Sequence, residues 1–158
     1  MLKNNKGVTL SILVVTIIVI MILAGITVTT SNLLIRDTKA KATISNMYLL
    51  KGKIEALYDD FQFSGKGVDD ANNGLVGDHV SSSSVSQYYT NPTDAPSGTA
   101  ADRWFKIVSS DLPDLGMDTS MLPSSAFYYV NYETGEVIYS NGFTDSATGV
   151  KKYKLSDV

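Results

Sequence analysis

From Val8 to Val28 the chain carries no charge over 21 residues, and Thr9, Ser11, Thr16 and Thr27 are the only polar side chains there. At about 1.5 Å rise per residue such a run makes a helix of roughly 30 Å, the thickness of a bilayer's hydrocarbon core. A buried helix of a globular domain would show polar residues at helical spacing, whereas hydroxyls can bond back to their own helix. The expectation is a membrane-inserted helix. After Val28 the apolar residues become periodic: Leu33, Ala40, Ile44, Met47, Ile54, Leu57 or Tyr58, and Phe61 recur at intervals of three, four or seven, with Arg36, Lys39, Lys41, Lys51, Lys53 and Asp59 mostly elsewhere. No proline occurs before Pro92, so one helix is expected from about Val8 to Phe63, roughly 84 Å long. Gly52 is its weak point and Ser64-Gly65 its stop.

Residues 65–101 are rich in Gly, Ser, Asn, Asp and Pro, with few apolar residues to anchor them, and read as a long variable loop. Ser81 to Ser84 and Thr90 to Thr99 are candidate O-glycan carriers on an otherwise plain surface. Asp69, Asp70, Asn72, Asn73 and Asp78 crowd oxygen atoms around Gly74 as a calcium loop would, but without the EF-hand spacing or its closing glutamate, so a polar turn is the competing reading. His79 is the only histidine and reads as a surface residue, with no second imidazole for a zinc site.

From Arg103 onward the pattern is sheet-like. Trp104 to Val108 reads as a strand, and Ser110 to Gly116 as a short turn capped by Ser110 and stopped by Gly116. Ala126 to Tyr132 and Glu136 to Tyr139 flank Glu133-Thr134-Gly135 as a hairpin. Asn141-Gly142 marks another turn, and Lys151 to Leu155 an edge strand guarded by lysines. The fold class that follows is α+β: a long N-terminal helix, membrane-spanning in its first half and packed by its second half on a small antiparallel sheet of three or four strands at about 103–155.

Composition adds orientation and exclusions. All 16 acidic residues follow Arg36, and Lys3 and Lys6 are the only charges before it. Short basic flanks stay cytoplasmic, so the N-terminus is expected inside and the body outside. Taking Lys3 and Lys6 from the 13 basic residues leaves 11 against 16 acidic in the remainder. That balance gives no electrostatic reason for the body to bind nucleic acid. The absence of cysteine excludes disulfides, thiolate metal sites and thiol catalysis. Catalytic signatures are missing as well: there is no histidine pair, no GxSxG and no phosphate-binding glycine loop, and Asp59-Asp60 and Asp69-Asp70 read as solvated surface. No enzymatic activity, metal or cofactor is expected. The basic residues from Arg36 to Lys53 read as a solvated face or as contacts to neighbouring subunits, and Arg36 and Lys39 also suit lipid headgroups.

The leader MLKNNKG is short and basic and ends in glycine directly before the apolar run. An ordinary secretory signal would place its cut after the apolar core, at Ala24-Gly25, but here the apolar pattern continues into the amphipathic helix. Lys6-Gly7, then Val8-Thr9-Leu10, then an apolar helix resembles the start of type IV pilins and pseudopilins, over roughly residues 1 to 60. The VNYETGEVIY stretch is also similar to the sheet of pseudopilin-type bodies.

The resemblance implies a leader 1–7 removed by a membrane peptidase after Gly7, methylation of the new Val8 amine, and a transmembrane and filament-core helix 8–28. It also implies an extracytoplasmic body 29–158, with Leu10, Ile12, Ala24 and Gly25 packing in the filament core. The family's glutamate at the fifth mature position is replaced by Ile12, and its commoner phenylalanine by Val8. A carboxylate in lipid is kept only for a partner. Its absence fits either a minor subunit that caps or primes a filament, or a divergent lineage; Thr9, Ser11 and Leu23-Ala24-Gly25 resemble pilin-type proteins of Gram-positive bacteria.

The implied function is a structural subunit of a type IV pilus-like or type II secretion-like filament. Its partners are copies of itself or other pilins, the prepilin peptidase, an assembly machinery with a cytoplasmic ATPase, and membrane lipid before extrusion to the cell surface. Adhesion, motility, secretion and DNA uptake all use such filaments, and the residues do not choose among them. The alternative is a non-polymerising, single-span, membrane-anchored extracellular binding module.

Overall fold

The computed structural model describes residues 6–145 and 147–158, without the side chains of residues 6–11, 23–33 and 92. An α-helix, α1, runs over Lys6–Ser64. The chain divides into two units, one ending at Thr38 and the other comprising Lys39–Val158. In the first unit α1 is the described element, and in the second it continues without a break through Gly52, beside which there is only open space. Its end is built as the residues foretell. The Ser64 hydroxyl donates to the Phe61 carbonyl at 2.7 Å, and Gly65 takes φ +69°, a left-handed conformation that glycine adopts without the penalty a Cβ brings.

In the second unit five strands form an antiparallel meander in chain order, β1 Asp78–Val80, β2 Trp104–Ile107, β3 Tyr128–Asn131, β4 Val137–Thr144 and β5 Lys151–Lys154. The fold is therefore α+β, and the sheet has five strands where three or four were expected. The extra strand, β1, lies inside the stretch read as a variable loop, so the sheet spans 78–154 rather than about 103–155. Its three residues carry no pattern of their own, and pairing with β2, His79 opposite Phe105, makes the strand. Just before it, Gly77 has φ +98°, and a Cβ there would meet the Lys106 carbonyl oxygen at 2.6 Å.

Both faces of the sheet are apolar, because side chains alternate along each strand. Phe105, Ile107, Tyr128, Val130, Val137 and Tyr139 face one way and pack with Met47, Leu50 and Ile54 of α1, all three fully buried. Trp104, Tyr129 and Ile138 face the other way and pack with Val85, which is also fully buried, and with Val80, Tyr88, Tyr89, Phe127 and Tyr153. The Ser-rich loop is thus anchored, contrary to the sequence reading, and forms the second cover of the sheet. Its apolar residues are few, but Val85, Tyr88 and Tyr89 sit on successive 3₁₀ turns at Ser82–Ser84 and Ser86–Tyr88. Asn131, fully buried, ties this layer to the hairpin: its amide donates to the Ala100 carbonyl at 2.7 Å, and its Oδ1 accepts from the Glu133 and Thr134 N–H groups. The Trp104 indole N–H is buried without a partner among the described residues.

Three local expectations change. Asn141-Gly142 is not a turn between strands but a bulge inside β4, where the register with β5 slips between Ile138 and Phe143. Gly142 has φ +63°, and a Cβ would come 2.8 Å from the Lys152 carbonyl oxygen, so glycine lets the strand bend past its neighbour. The turn Leu112–Leu115 has Asp111 rather than Ser110 at its N-cap position, without a side-chain cap bond, and is stopped by Gly116 at φ +65°. Asp111 is held because its Oδ2 accepts the Val108 N–H at 2.8 Å. The lysine-guarded edge is found as expected in β5. Lys152 pairs with Asp145 at 2.9 Å, and Lys154 lies over the Tyr89 ring at 4.5 Å.

Two outcomes follow from this architecture. Gly52→Ala, in a helix with open space beside it, is expected to raise stability by about 0.5–1 kcal/mol through the unfolded chain's lost freedom, read as a higher midpoint in thermal or urea unfolding. Asp145 titrates at about 2, below its ordinary 3.8, chiefly through its hydrogen bond from Lys152 and then those from the Ala147 and Thr148 N–H groups. Because the folded value is the lower one, its contribution is complete above about pH 4 and is lost as pH falls toward 2. The unfolding midpoints of wild type and Asp145→Asn should differ at pH 7 and converge near pH 2.

Candidate interaction surface

In the first unit the described part of the apolar run is Ile12–Ile22, eleven residues or three turns of α1. Three turns place side chains on every side of a helix, and the apolar ones are all exposed, from 45% at Ile17 to 69% at Met21. The single polar side chain, Thr16, donates to the carbonyls of Ile12 and Leu13 at 3.0 and 2.8 Å. Among the described residues this segment therefore has no polar group left without a partner and no cover. A helix apolar all round is stable only when lipid or other helices surround it.

Among the described residues no helix is long and apolar enough to cross a membrane. The remainder of Val8–Val28 has side chains outside the described residues, and so do the processing pair Gly7 and Val8 and the packing residues Leu10, Ala24 and Gly25. Most of the leader, residues 1–5, is outside as well. Of the processing and filament-packing residues expected from sequence, Ile12 is the one with a described side chain. It is 58% exposed and presents no carboxylate.

The polar loop after α1 spends its side chains on itself. The Gly67 N–H donates to Asp70 Oδ2 at 2.6 Å, the Leu75 N–H donates to Asn73 Oδ1 at 2.9 Å, and the Asn73 amide donates to the Val68 carbonyl. Asn72, at φ +57°, turns its carbonyl to the Lys66 ammonium. His79 is a bridge, with Nδ1 at 2.8 Å from Asp69 Oδ1, Nε2 at 3.0 Å from the Asp102 carbonyl, and its ring tilted on Phe105 at 5.2 Å. Among the described residues no group of three or more acidic or histidine side chains is placed to hold a metal. The far end of this loop is clamped to the sheet by Tyr132, whose hydroxyl donates to the Val76 carbonyl and accepts the Val76 N–H, both at 3.0 Å. Burial pushes the Tyr132 phenol up to about 12.

Two clefts flank α1 in the second unit, and neither was legible in the sequence. One, of about 360 Å³, lies between Tyr48 and Lys51 and the turn Thr134–Glu136, with Leu155, Ser156 and Val158 beyond. The other, of about 320 Å³, lies between Lys53, Ala56, Leu57 and Asp60 of α1 and Asp114, Leu115 and Gly116. Helical spacing does place Asp60 on a flank, but nothing local brings Asp114 to it. That approach depends on the turn Leu112–Leu115 burying Leu112 and Leu115 in the core.

No protein-family model, curated protein or solved structure matches this chain.

Tyr132→Phe removes both bonds to Val76 and leaves a half-buried N–H and C=O unpaired, a cost of about 1–3 kcal/mol. Amide hydrogen exchange should accelerate first at Leu75, Val76 and Gly77, and the thermal midpoint should fall.

Proposed function

We propose that this chain is a prepilin-like structural subunit, inserted in a membrane by its N-terminal helix, cut after Gly7 and then assembled into a helical filament with its α+β body outermost. The observation that carries this reading is the Ile12–Ile22 segment: exposed on all sides, with its one hydroxyl satisfied internally, on the same helix that packs against a folded sheet. In lipid such a segment is surrounded by acyl chains, and in a filament by sister helices of similar apolarity. The transfer exchanges one set of van der Waals contacts for another and gains little, so extrusion calls for an external motor, a cytoplasmic ATPase. Ala24 and Gly25 would let neighbouring backbones approach closely. The body carries no catalytic task in this reading.

One observation favours a second reading, a membrane-anchored extracellular module that does not polymerise. Ile12 presents a hydrocarbon where a neighbour's N-terminal amine would need a carboxylate, so that pairing cannot form.

Intact-mass spectrometry of the full chain produced with a prepilin peptidase tests the first step. The expected mature chain begins at Val8, and Gly7→Leu should leave the leader attached. An uncut chain, a cut near Ala24, or unchanged filaments from Gly7→Leu would overturn the assignment. Electron microscopy of sheared surface material then separates a polymerising subunit from a lone tether.

A further inference from the structure

The two flanks of α1 in the second unit expose different side chains. Tyr48 and Leu57 are nine residues apart, and so are Lys51 and Asp60. Nine residues are about two and a half turns, so each pair points to opposite sides of the helix with an axial offset of about 14 Å. On one side Ala56, Leu57 and Leu115 give a cleft apolar walls, and Asp60 and Asp114 stand at it with no hydrogen bond or ion pair to either carboxylate among the described residues. Among the described residues, that cleft is lined by one cation, Lys53, and two carboxylates.

On the other side Tyr48 is 55% exposed. Lys51 beside it makes an exposed pair with Glu55 at 3.7 Å, a geometry worth little in water. Glu136 on that side is already engaged by the Val137 and Ser156 N–H groups.

We propose that the cleft at Asp60 and Asp114 receives the opposite flank of a second copy of this chain. The Tyr48 ring of that copy lies on Ala56, Leu57 and Leu115, and its Lys51 ammonium lies between the two carboxylates. An aromatic ring seated in an apolar cleft with a charge pair at its rim is the usual anchor of a protein interface. Because the two surfaces differ and lie on opposite sides of one helix, the contact is heterologous. Each added copy leaves a fresh cleft and a fresh flank, and so the arrangement extends rather than closing as a dimer. This inference rests on the assembly reading above and names the surface through which the bodies meet.

The native chain has no cysteine, which makes a disulfide test specific. Lys51→Cys and Asp60→Cys are introduced together into the full chain in cells that process it, followed by oxidation and non-reducing electrophoresis. Within one copy the two positions are about 14 Å apart on opposite faces, beyond the roughly 7 Å that a disulfide spans. The expected result is a ladder of trimers and larger species, whereas either single variant stops at the dimer. Wild-type filaments together with a double variant that gives no species above the dimer would overturn the interface and leave the assembly reading standing. Absence of any filament or multimer from wild type would overturn both. An equal ladder from Asp60→Cys with Ser83→Cys, in the loop over the far face of the sheet, would reduce the signal to collision and overturn the interface.

Charge exchange supplies a second measurement that does not depend on the cysteines. Lys51→Asp alone, or Asp60→Lys with Asp114→Lys, should lower filament yield about tenfold or more through like-charge contact. Combining the three changes should restore it, and failure to restore would overturn the pairing.

Discussion

The structure depends on one requirement, that apolar side chains leave water. A sheet in which Phe105, Val130 and Tyr139 point one way and Trp104, Tyr129 and Ile138 the other cannot rest against a single layer. The amphipathic second half of α1 covers one face. The other is covered by the loop of 3₁₀ turns that carries Val85, Tyr88 and Tyr89. Truncating a fully buried anchor such as Leu50 or Ile54 to alanine costs about 2–5 kcal/mol in comparable cores, a large share of a small domain's stability. The Ile12–Ile22 segment of α1 meets the same requirement with nothing among the described residues to satisfy it, and this asymmetry within one helix is the strongest functional signal in the molecule.

Polar groups are arranged to serve that burial. Asn131 sits fully buried because its amide and carbonyl oxygen are both occupied, and in satisfying Ala100, Glu133 and Thr134 it locks the covering layer to the β3–β4 hairpin. Tyr132, the next residue, points its hydroxyl at Val76 and so fixes the entry to β1. Thr16 makes the corresponding arrangement in the apolar helix, turning its hydroxyl back onto the carbonyls of Ile12 and Leu13. The acidic loop near Gly74 follows the same economy: its Asp70 and Asn73 side chains close turns on the loop's own backbone.

Legibility in the sequence tracks how local each determinant is. The extent of α1, its stop at Gly65, the strand at Trp104, the hairpin around Gly135 and the lysine-bearing edge were all readable, since each rests on periodicity or on a residue type needed at one position. The misreadings concern partners distant in sequence. Asp78–Val80 is a strand because β2 lies beside it, the Ser-rich segment is ordered because the sheet's second face needs a cover, and Asn141-Gly142 is a bulge because β5 pairs on both sides of it. The clefts beside α1 were invisible for the same reason, since Asp114 reaches Asp60 only through the packing of Leu112 and Leu115.

By itself the sequence determined that the chain begins its body from a long helix whose first half is apolar on every side, and that an antiparallel sheet follows. Runs of hydrocarbon and helical periodicity are properties of consecutive residues. Tertiary structure alone decided that the sheet has five strands and two covers, that the polar loop is built into the body, and that opposite flanks of one helix present a carboxylate-rimmed cleft and an exposed tyrosine with its lysine. Those features arise where segments far apart in the chain are pressed together by the need to bury both faces of the sheet, and no stretch of sequence contains that need alone.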